Sequence, residues 1–385
     1  MKYILINTNE PKPFEEKSRL GRVGYISEIL KERESQVVWI TSNYSHSLKR
    51  YLRKSEKVSP KGMKIIFLFG LPYKKNISVL RILNNIFLGI QVFFYLLLRS
   101  RDSKVLVSCP LIEVTFATIL CSKIKQLKSI IDVRDDWPDS FEEHIPKRIR
   151  SFQYFLLYPW RVMLRYSFSR SNKLISMSEQ QASFAKKYSN GRDVEVFYIG
   201  DNIPEISLSE RSKSIKLFFI GTLSPARPLD DLISSLEKIP TPIELNIIGD
   251  GDDFKRYREY ISKIKIIMHG RKTGDELHSL VEDCDILLAP FAINYGFSLP
   301  TKISTYIGYG IPILTNLDFE AGHFLKKYEL GSVVNFGNPD EVEVAIHYWY
   351  EVDRIEHYRK SRIVYEEFFN IDRISTEITD LIHSI

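Results

Sequence analysis

Short apolar runs recur along the chain, each passing into a polar turn and then into a stretch whose apolar residues repeat every three or four positions. The runs fall at 3–6, 37–40, 104–107, 129–132, 217–220, 244–248, 265–268 and 286–289, and they predict strands alternating with helices. This alternation implies an α/β fold with parallel sheets covered by helices on both faces. A chain of 385 residues is too long for one ordinary core, so the pattern predicts two such domains. The Ser- and charge-rich stretch 203–214, IPEISLSERSKS, is the expected linker. The expected partition is 1–205 and 206–360, with a last segment at 361–385. A ligand is expected outside the carboxyl ends of the strands, in the cleft between the halves.

One segment departs from plain alternation. Residues 77–98 are apolar but interrupted by Arg81, Asn84, Asn85 and Gln91, and the clean run 86–98 is shorter than the roughly 20 residues a spanning helix needs. It reads as a buried or surface-lying amphipathic helix. Lys74, Lys75, Arg81, Arg99 and Arg101 flank it, with Lys49, Arg50, Arg53 and Lys54 upstream and Lys147, Arg148 and Arg150 downstream. A basic rim beside apolar residues suits an anionic bilayer, and a solvated surface is the alternative. Lys and Arg exceed Asp and Glu by 54 to 48, a modest excess compatible with anionic ligands. The aromatic residues sit within apolar patterns and no nucleic-acid module is visible, so nucleic acid is not an expected partner. Cys109, Cys121 and Cys284 are scattered without metal-ligand spacing and read as core thiols of a reducing compartment.

The chemistry gathers at turns. In YGFSLPTKISTYIGYGIPILT, residues 295–315, Pro300 suits the first turn of a helix, whose outward amides form an anion site. Lys302 in that turn opposes the helix dipole, which points to an external anion beside it. FFIGTLSPARPLDD at 218–231 carries Gly221, Thr222 and Arg227, where a glycine admits close approach and an arginine can fork onto phosphate oxygens. LNIIGDGDDF at 245–254 ends a strand in a Gly249-Asp-Gly turn.

These segments resemble the donor half of GT-B glycosyltransferases of the retaining family 4 type. Residues 221–228 are similar to that family's Gly-Arg-Leu-Ser-Pro-Glu-Lys-Gly loop, 247–251 to its IGDG turn, and 299–312 to its Leu-Pro-x-Lys-x-x-Glu-Tyr-x-x-x-Gly-x-Pro run. IDVRDDWPD at 131–139, LPYKKNISVLR at 71–81 and WITSNYSHSLK at 39–49 resemble segments of its bacterial surface-polysaccharide subgroup. The resemblance implies two Rossmann-like domains facing across a cleft, with 361–385 as a C-terminal helix that crosses back to the first domain. It also implies metal-independent, retaining transfer of a hexosyl group from a nucleotide-sugar, a UDP-sugar first, to a lipid-linked or saccharide acceptor. No cofactor is expected. The expected location is the cytoplasm, with peripheral contact at the inner face of the membrane.

By position, the resemblance gives Arg227 and Lys302 the donor diphosphate, with Gly221, Thr222, Gly249, Arg271, Ser298, Leu299 and Thr305 completing the donor site. On the acceptor side it places Gly21, Arg22, Gly24, His46 and Arg134, with Asp135 orienting the reacting groups. The family's two glutamates fall at Phe297 and Thr305, and its first-loop arginine at Thr222. Loss of the carboxylates leaves open a non-catalytic partner of another glycosyltransferase, or, as a further alternative, a nucleotide-sugar epimerase. The spacing Gly21-x-x-Gly24 lacks the full dinucleotide fingerprint of a dehydrogenase. Asp135 and Arg134 read either as orienting groups or as a structural Asp-Trp-Pro corner, and His46 as acceptor-side or structural.

Overall fold

A computed structural model describes residues 1–11, 20–33, 35–45, 49–52, 57–58, 63–75, 78–144, 150–292 and 299–385. The chain forms two compact units, Met1–Tyr198 with Asp372–Ile385, and Ile199–Ile371.

The first unit holds strands β1 (Lys2–Ile6), β2 (Gln36–Ser42), β3 (Tyr44–Ser45), β4 (Arg50–Tyr51), β5 (Lys57–Val58), β6 (Lys64–Leu68), β7 (Ser103–Cys109), β8 (Lys128–Val133), β9 (Lys173–Ser176) and β10 (Glu195–Val196). Its sheet has the order β10-β9-β8-β7-β1-β2-β6-β5. Within this sheet the strands run parallel except β5, which is antiparallel to β6, and β3 and β4 form a separate antiparallel pair. Side chains alternate between two cores, as the period of a strand requires. Ile4 and Ile6 face a cluster that includes Leu88, Val92 and Leu96. Tyr3 and Leu5 face another that includes Val23, Ile26 and Leu30 of helix α1 (Arg22–Glu32).

Helix α2 (Val79–Arg99) is capped by the Ser78 hydroxyl, which accepts from the Arg81 amide at 3.3 Å. It is long and apolar enough to cross a membrane by length and composition, because its helical pattern begins at Val79, well before the clean apolar run. One face is core. The polar residues that break the run are structural: Asn84 accepts from the Leu71 amide, and Gln91 exchanges hydrogen bonds with both backbone groups of Phe69. The opposite face leaves Val79, Leu83, Ile90, Phe94 and Leu98 exposed. Helices α3 (Ile112–Lys125), α4 (Arg150–Arg170) and α5 (Glu179–Tyr188) continue this unit.

The second unit has a fully parallel sheet of β11 (Ile215–Ile220), β12 (Ile243–Ile248), β13 (Lys265–Gly270), β14 (Ile286–Ala289), β15 (Ile313–Thr315) and β16 (Gly331–Val333), in the order β13-β12-β11-β14-β15-β16. Around it lie α6 (Asp230–Leu236), α7 (Phe254–Arg258), α8 (Asp275–Val281), α9 (Thr301–Gly308), α10 (Glu320–Tyr328), α11 (Pro339–Glu351) and α12 (Arg354–Phe368).

The chain leaves the first unit at Tyr198 and returns at Asp372, so of the expected final segment only α13 (Ile371–Ser384) joins the first unit. Helix α12 stays with the second because Ser361 donates to the Ile307 carbonyl and the Tyr365 hydroxyl to the Asp201 carbonyl. Helix α13 buries Ile374, Ile378 and Ile382 in the cluster beneath β1 and β2, a stripe at helical spacing. The three cysteines are buried and free, and burial pushes the Cys109 thiol up to about 12.

Candidate functional site

In the second unit the strand order reverses between β11 and β14, and ligands of open α/β sheets bind outside the strand ends at such a switch point. Two glycine turns shape this end of the sheet. Gly221 and Gly249 adopt φ +147° and +152°, a range that side chains avoid. A Cβ at Gly249 would sit 1.9 Å from the Gly221 carbonyl oxygen. The Gly221 amide donates to Ile248 and the Leu223 amide to Asp250, both at 2.8 Å, which locks the two turns side by side.

Helix α9 begins beyond Pro300, which is the cap residue and is extended at φ −66°, ψ 144°. The helix is anchored by Tyr306. The Tyr306 hydroxyl accepts from the Ile220 amide at 2.8 Å, and its proton faces the carbonyls of Ile220 and Leu288 at 3.1 and 3.3 Å. One phenol thus ties the first helical turns to the ends of both switch-point strands.

That anchoring brings two cations to Gly221. A Cβ built there would lie 2.8 Å from Lys302 Nζ and 3.9 Å from an Arg227 terminal nitrogen. Lys302 Nζ sits 3.7 Å from the centre of the Phe219 ring, a cation–π contact. Although the lysine as a whole is half-buried, its ammonium nitrogen is out of solvent and has no hydrogen-bond partner, and neither has Arg227 Nε. Burial first, and the Arg227 charge second, hold the Lys302 pKa well below its usual value. A buried ammonium beside a second cation is costly unless an anion joins it. With the amides of a helix N-terminus alongside, the arrangement is built to receive a multiply charged anion such as a phosphate group.

Leu299 is buried, whereas Thr222 and Arg271 are exposed at the ends of β11 and β13. Ser298, Phe297 and His46 lie outside the described residues. Thr305 donates its hydroxyl to Asp201 Oδ2 at 3.1 Å. Asp201 is itself fixed through its backbone by Phe369, Ile371 and Tyr365, so a carboxylate stands beside the position where the sequence has only a hydroxyl.

The acceptor-side candidates of the first unit are placed differently from their expected roles. Gly21 caps α1, and the carboxylate of Glu10 lies where its Cβ would be, accepting from the Val23 amide at 2.9 Å. The chain's own anion therefore occupies this helix N-terminus. Gly24 packs on the Leu20 side chain. Arg22 donates to Asp132 Oδ1 at 3.0 Å and to the Phe197 and Tyr198 carbonyls. Arg134 pairs with Asp132 Oδ2 at 2.6 Å and with Glu10. Both guanidiniums are thus engaged by internal carboxylates, with Asp132 fully buried between them, while Arg134 Nη2 is buried without a hydrogen-bond partner. Asp135 accepts from the Trp137 amide at 3.1 Å, the bond of an Asp-Trp-Pro corner, and its side chain also lines a cavity. Although the residue as a whole is exposed, desolvation of its carboxyl, then the neighbouring Asp136, push its pKa up. Asp139 is held by Lys187, Tyr188 and Arg161.

Sequence reasoning missed Glu10, Asp201 and Phe219. Glu10 follows the first strand closely and could have been suspected, but nothing in an apolar strand marks Phe219 as the seat of a cation. Among the described residues no group of three or more His, Cys, Asp or Glu side chains could hold a metal ion.

Residues 204–363 match the family model described as Glycosyl transferases group 1, a span inside the second unit. HepE of Anabaena, solved in complex with UDP, superposes with a TM-score of 0.67 at 14% identity, covering 100% of both chains. The fold is GT-B. The lipopolysaccharide outer core galactosyltransferase WaaB shares it with a TM-score of 0.67 at 16% identity over 100% of both chains. WaaG, a glycosyltransferase involved in lipopolysaccharide biosynthesis, shares it with a TM-score of 0.61 at 15% identity over 99% of both. No curated protein sequence matches the chain. The GT-B fold agrees with the two parallel-sheet units expected from the alternating pattern.

Two outcomes follow from the charges. Asp132→Asn removes the anion shared by two buried guanidiniums and is expected to cost about 3–5 kcal/mol in urea unfolding; a loss below about 1 kcal/mol contradicts the shared-anion reading. Lys302→Met removes an unpaired ammonium and is expected to stabilise the ligand-free protein by about 1–3 kcal/mol at neutral pH. Because the folded pKa of Lys302 is lowered, the wild-type penalty is greatest at low pH, declines as pH rises above the folded pKa, and is gone above about 10.4, the unfolded value. The gain from Lys302→Met should therefore shrink in alkaline buffer.

Proposed function

We propose that the chain is a retaining, metal-independent glycosyltransferase that transfers a hexosyl group from a nucleotide-sugar, a UDP-sugar first, to a lipid-linked saccharide of surface-polysaccharide synthesis. The observation that carries this reading is the pair of cations at Gly221, with the unpartnered Lys302 ammonium beside a helix N-terminus. The group 1 match over this unit and the UDP held by the structurally similar HepE support the nucleotide donor. The exposed apolar side of α2 and the cations around it support peripheral contact with the inner face of the membrane.

On this reading the diphosphate sits over Gly221, whose missing side chain lets its oxygens reach the backbone. Arg227 and Lys302 neutralise the charge that grows on the leaving nucleoside diphosphate, and with the Lys302 ammonium out of solvent that charge acts strongly. They stand in the place a metal ion holds in other phosphate chemistry. The departing phosphate assists deprotonation of the acceptor hydroxyl on the same face, so no protein nucleophile is required. Asp201, held by Thr305, supplies the carboxylate that receives the ribose hydroxyls.

UDP in EDTA is expected to raise the melting temperature, by about 2.7 kcal/mol of added stability at a hundredfold excess over Kd. Arg227→Ala should weaken UDP at least tenfold, in line with about 1.5–3 kcal/mol for a charge-assisted contact. No UDP response, or equal binding by the variant, sinks the donor site; binding without transfer to any acceptor favours the non-catalytic partner. Asp201→Asn should weaken UDP about tenfold while leaving inorganic pyrophosphate binding unchanged, since only the nucleoside carries the ribose. Equal loss for both ligands would assign Asp201 a merely structural role.

A further inference from the structure

Beside the Asp135 corner, the first unit contains two neighbouring cavities, one with polar groups set among apolar walls and one almost wholly apolar. One, of about 300 Å³, lies among Arg81, Asn85, Glu113, Asp135, Trp137 and Trp160. The other, of about 280 Å³, runs between α2, α3 and α4, where Ile86, Ile90, Phe93, Phe94, Phe116 and Met163 line it. Glu113 is common to both linings and is the single charged residue of the second. Its carboxylate accepts from Trp160 Nε1 at 2.8 Å and thus stands at the boundary between them.

The first cavity, mixed in lining, suits a neutral, hydroxylated ring. Two indoles, 6.2 Å apart and inclined at 72°, offer flat apolar surface for the C–H face of a sugar, while carboxylate, amide and guanidinium groups receive its hydroxyls. Two carboxylates against one guanidinium disfavour an anionic headgroup there. The second cavity offers almost no polar partner and accepts hydrocarbon. Ile90 and Phe94 are 49% and 55% exposed on the outer side of the same groove, so the groove opens toward the exposed apolar face of α2.

We infer that the two cavities form one acceptor subsite for a glycolipid, with the terminal sugar held between Trp137 and Asp135 and the hydrocarbon chain lying in the groove of α2, α3 and α4. This inference rests on the proposed reading of the chain as a glycosyltransferase with a lipid-linked acceptor, and it adds the location and chemistry of that acceptor. Apolar burial rewards each added methylene, whereas the head cavity rewards the sugar.

Alkyl glucosides of six to ten carbons, titrated into the full chain below their micelle concentrations and without donor, test it through tryptophan fluorescence. Affinity is expected to tighten about threefold to fourfold per methylene. Asp135→Asn should weaken the glucosides at least tenfold and leave octanol unchanged. Ala117→Phe, which fills the groove, and Ile90→Lys, an exposed change that the fold tolerates, should each abolish the gain with chain length. Absence of chain-length dependence in the wild type overturns the inference, as do equal losses of octanol and glucoside in Asp135→Asn, or a full gain in both groove variants. A signal seen only with anionic phosphatidylglycerol vesicles also overturns it and leaves α2 as a bilayer contact. UDP titrated separately keeps the two readings distinct: UDP binding with silent glucosides removes this subsite alone, and silent UDP removes the donor assignment.

Discussion

Burial of the Lys302 ammonium against the Phe219 ring, with no oxygen to receive its protons, is the constraint around which the second unit's ligand chemistry is arranged. An aromatic face offsets only part of the cost of desolvating a cation, and Arg227 adds repulsion. The arrangement persists because other contacts over-determine it. Tyr306 fixes α9 to β11 and β14, and the Lys302 stem has one direction to follow from that helix. The glycine turns then keep the space above the cations open, since a Cβ at Gly221 would collide with Lys302 Nζ. On the proposed reading, the cost of holding the charge unpaired is recovered when an anion arrives, which is the logic of a preorganised electrostatic site.

The first unit solves the same problem in the opposite way. At its own switch point, between β1 and β7, Arg22 and Arg134 are buried, but Asp132 and Glu10 meet them with full carboxylates. Glu10 also takes the amide at the start of α1, so the position that binds phosphate in other α/β units is filled from within. The two units share an architecture and differ in where the compensating anion comes from. An internal anion makes a scaffold; on the proposed reading, a missing one makes a binding site.

This difference sets what was legible in the sequence. The expected strands were written in continuous apolar runs, since parallel strands covered on both faces leave no polar alternation to confuse them. Strands β9 and β16 escaped notice because KLIS and GSV are too short to carry a pattern, whereas β6 escaped although KIIFL is as apolar as the expected runs. Pairing partners are less legible still. Arg22, Arg134 and Lys302 look alike in a sequence, and only the fold brings Asp132 to the first two and leaves the third against an aromatic ring. The carboxylate of Asp132 lies 110 residues from Arg22, a separation no local motif reports. The apolar length of α2 was underestimated for a related reason. Its polar residues looked like interruptions, but Asn84 and Gln91 satisfy the loop at Phe69–Leu71 and cost the helix nothing.

Thr305 illustrates how a missing group can be replaced from a distance. A hydroxyl cannot receive charge-assisted hydrogen bonds as a carboxylate does, and the sequence alone therefore argues for a weakened nucleotide site. In the folded unit the Thr305 hydroxyl is a donor, engaged 3.1 Å from Asp201 Oδ2. The shorter side chain makes room and the aspartate enters it from another part of the chain, held by three backbone contacts. On the proposed reading the carboxylate function has moved from the helix to the strand of chain that opens the second unit. A substitution that looks like loss at one position is then an exchange between two, and the charge available to the ribose is unchanged.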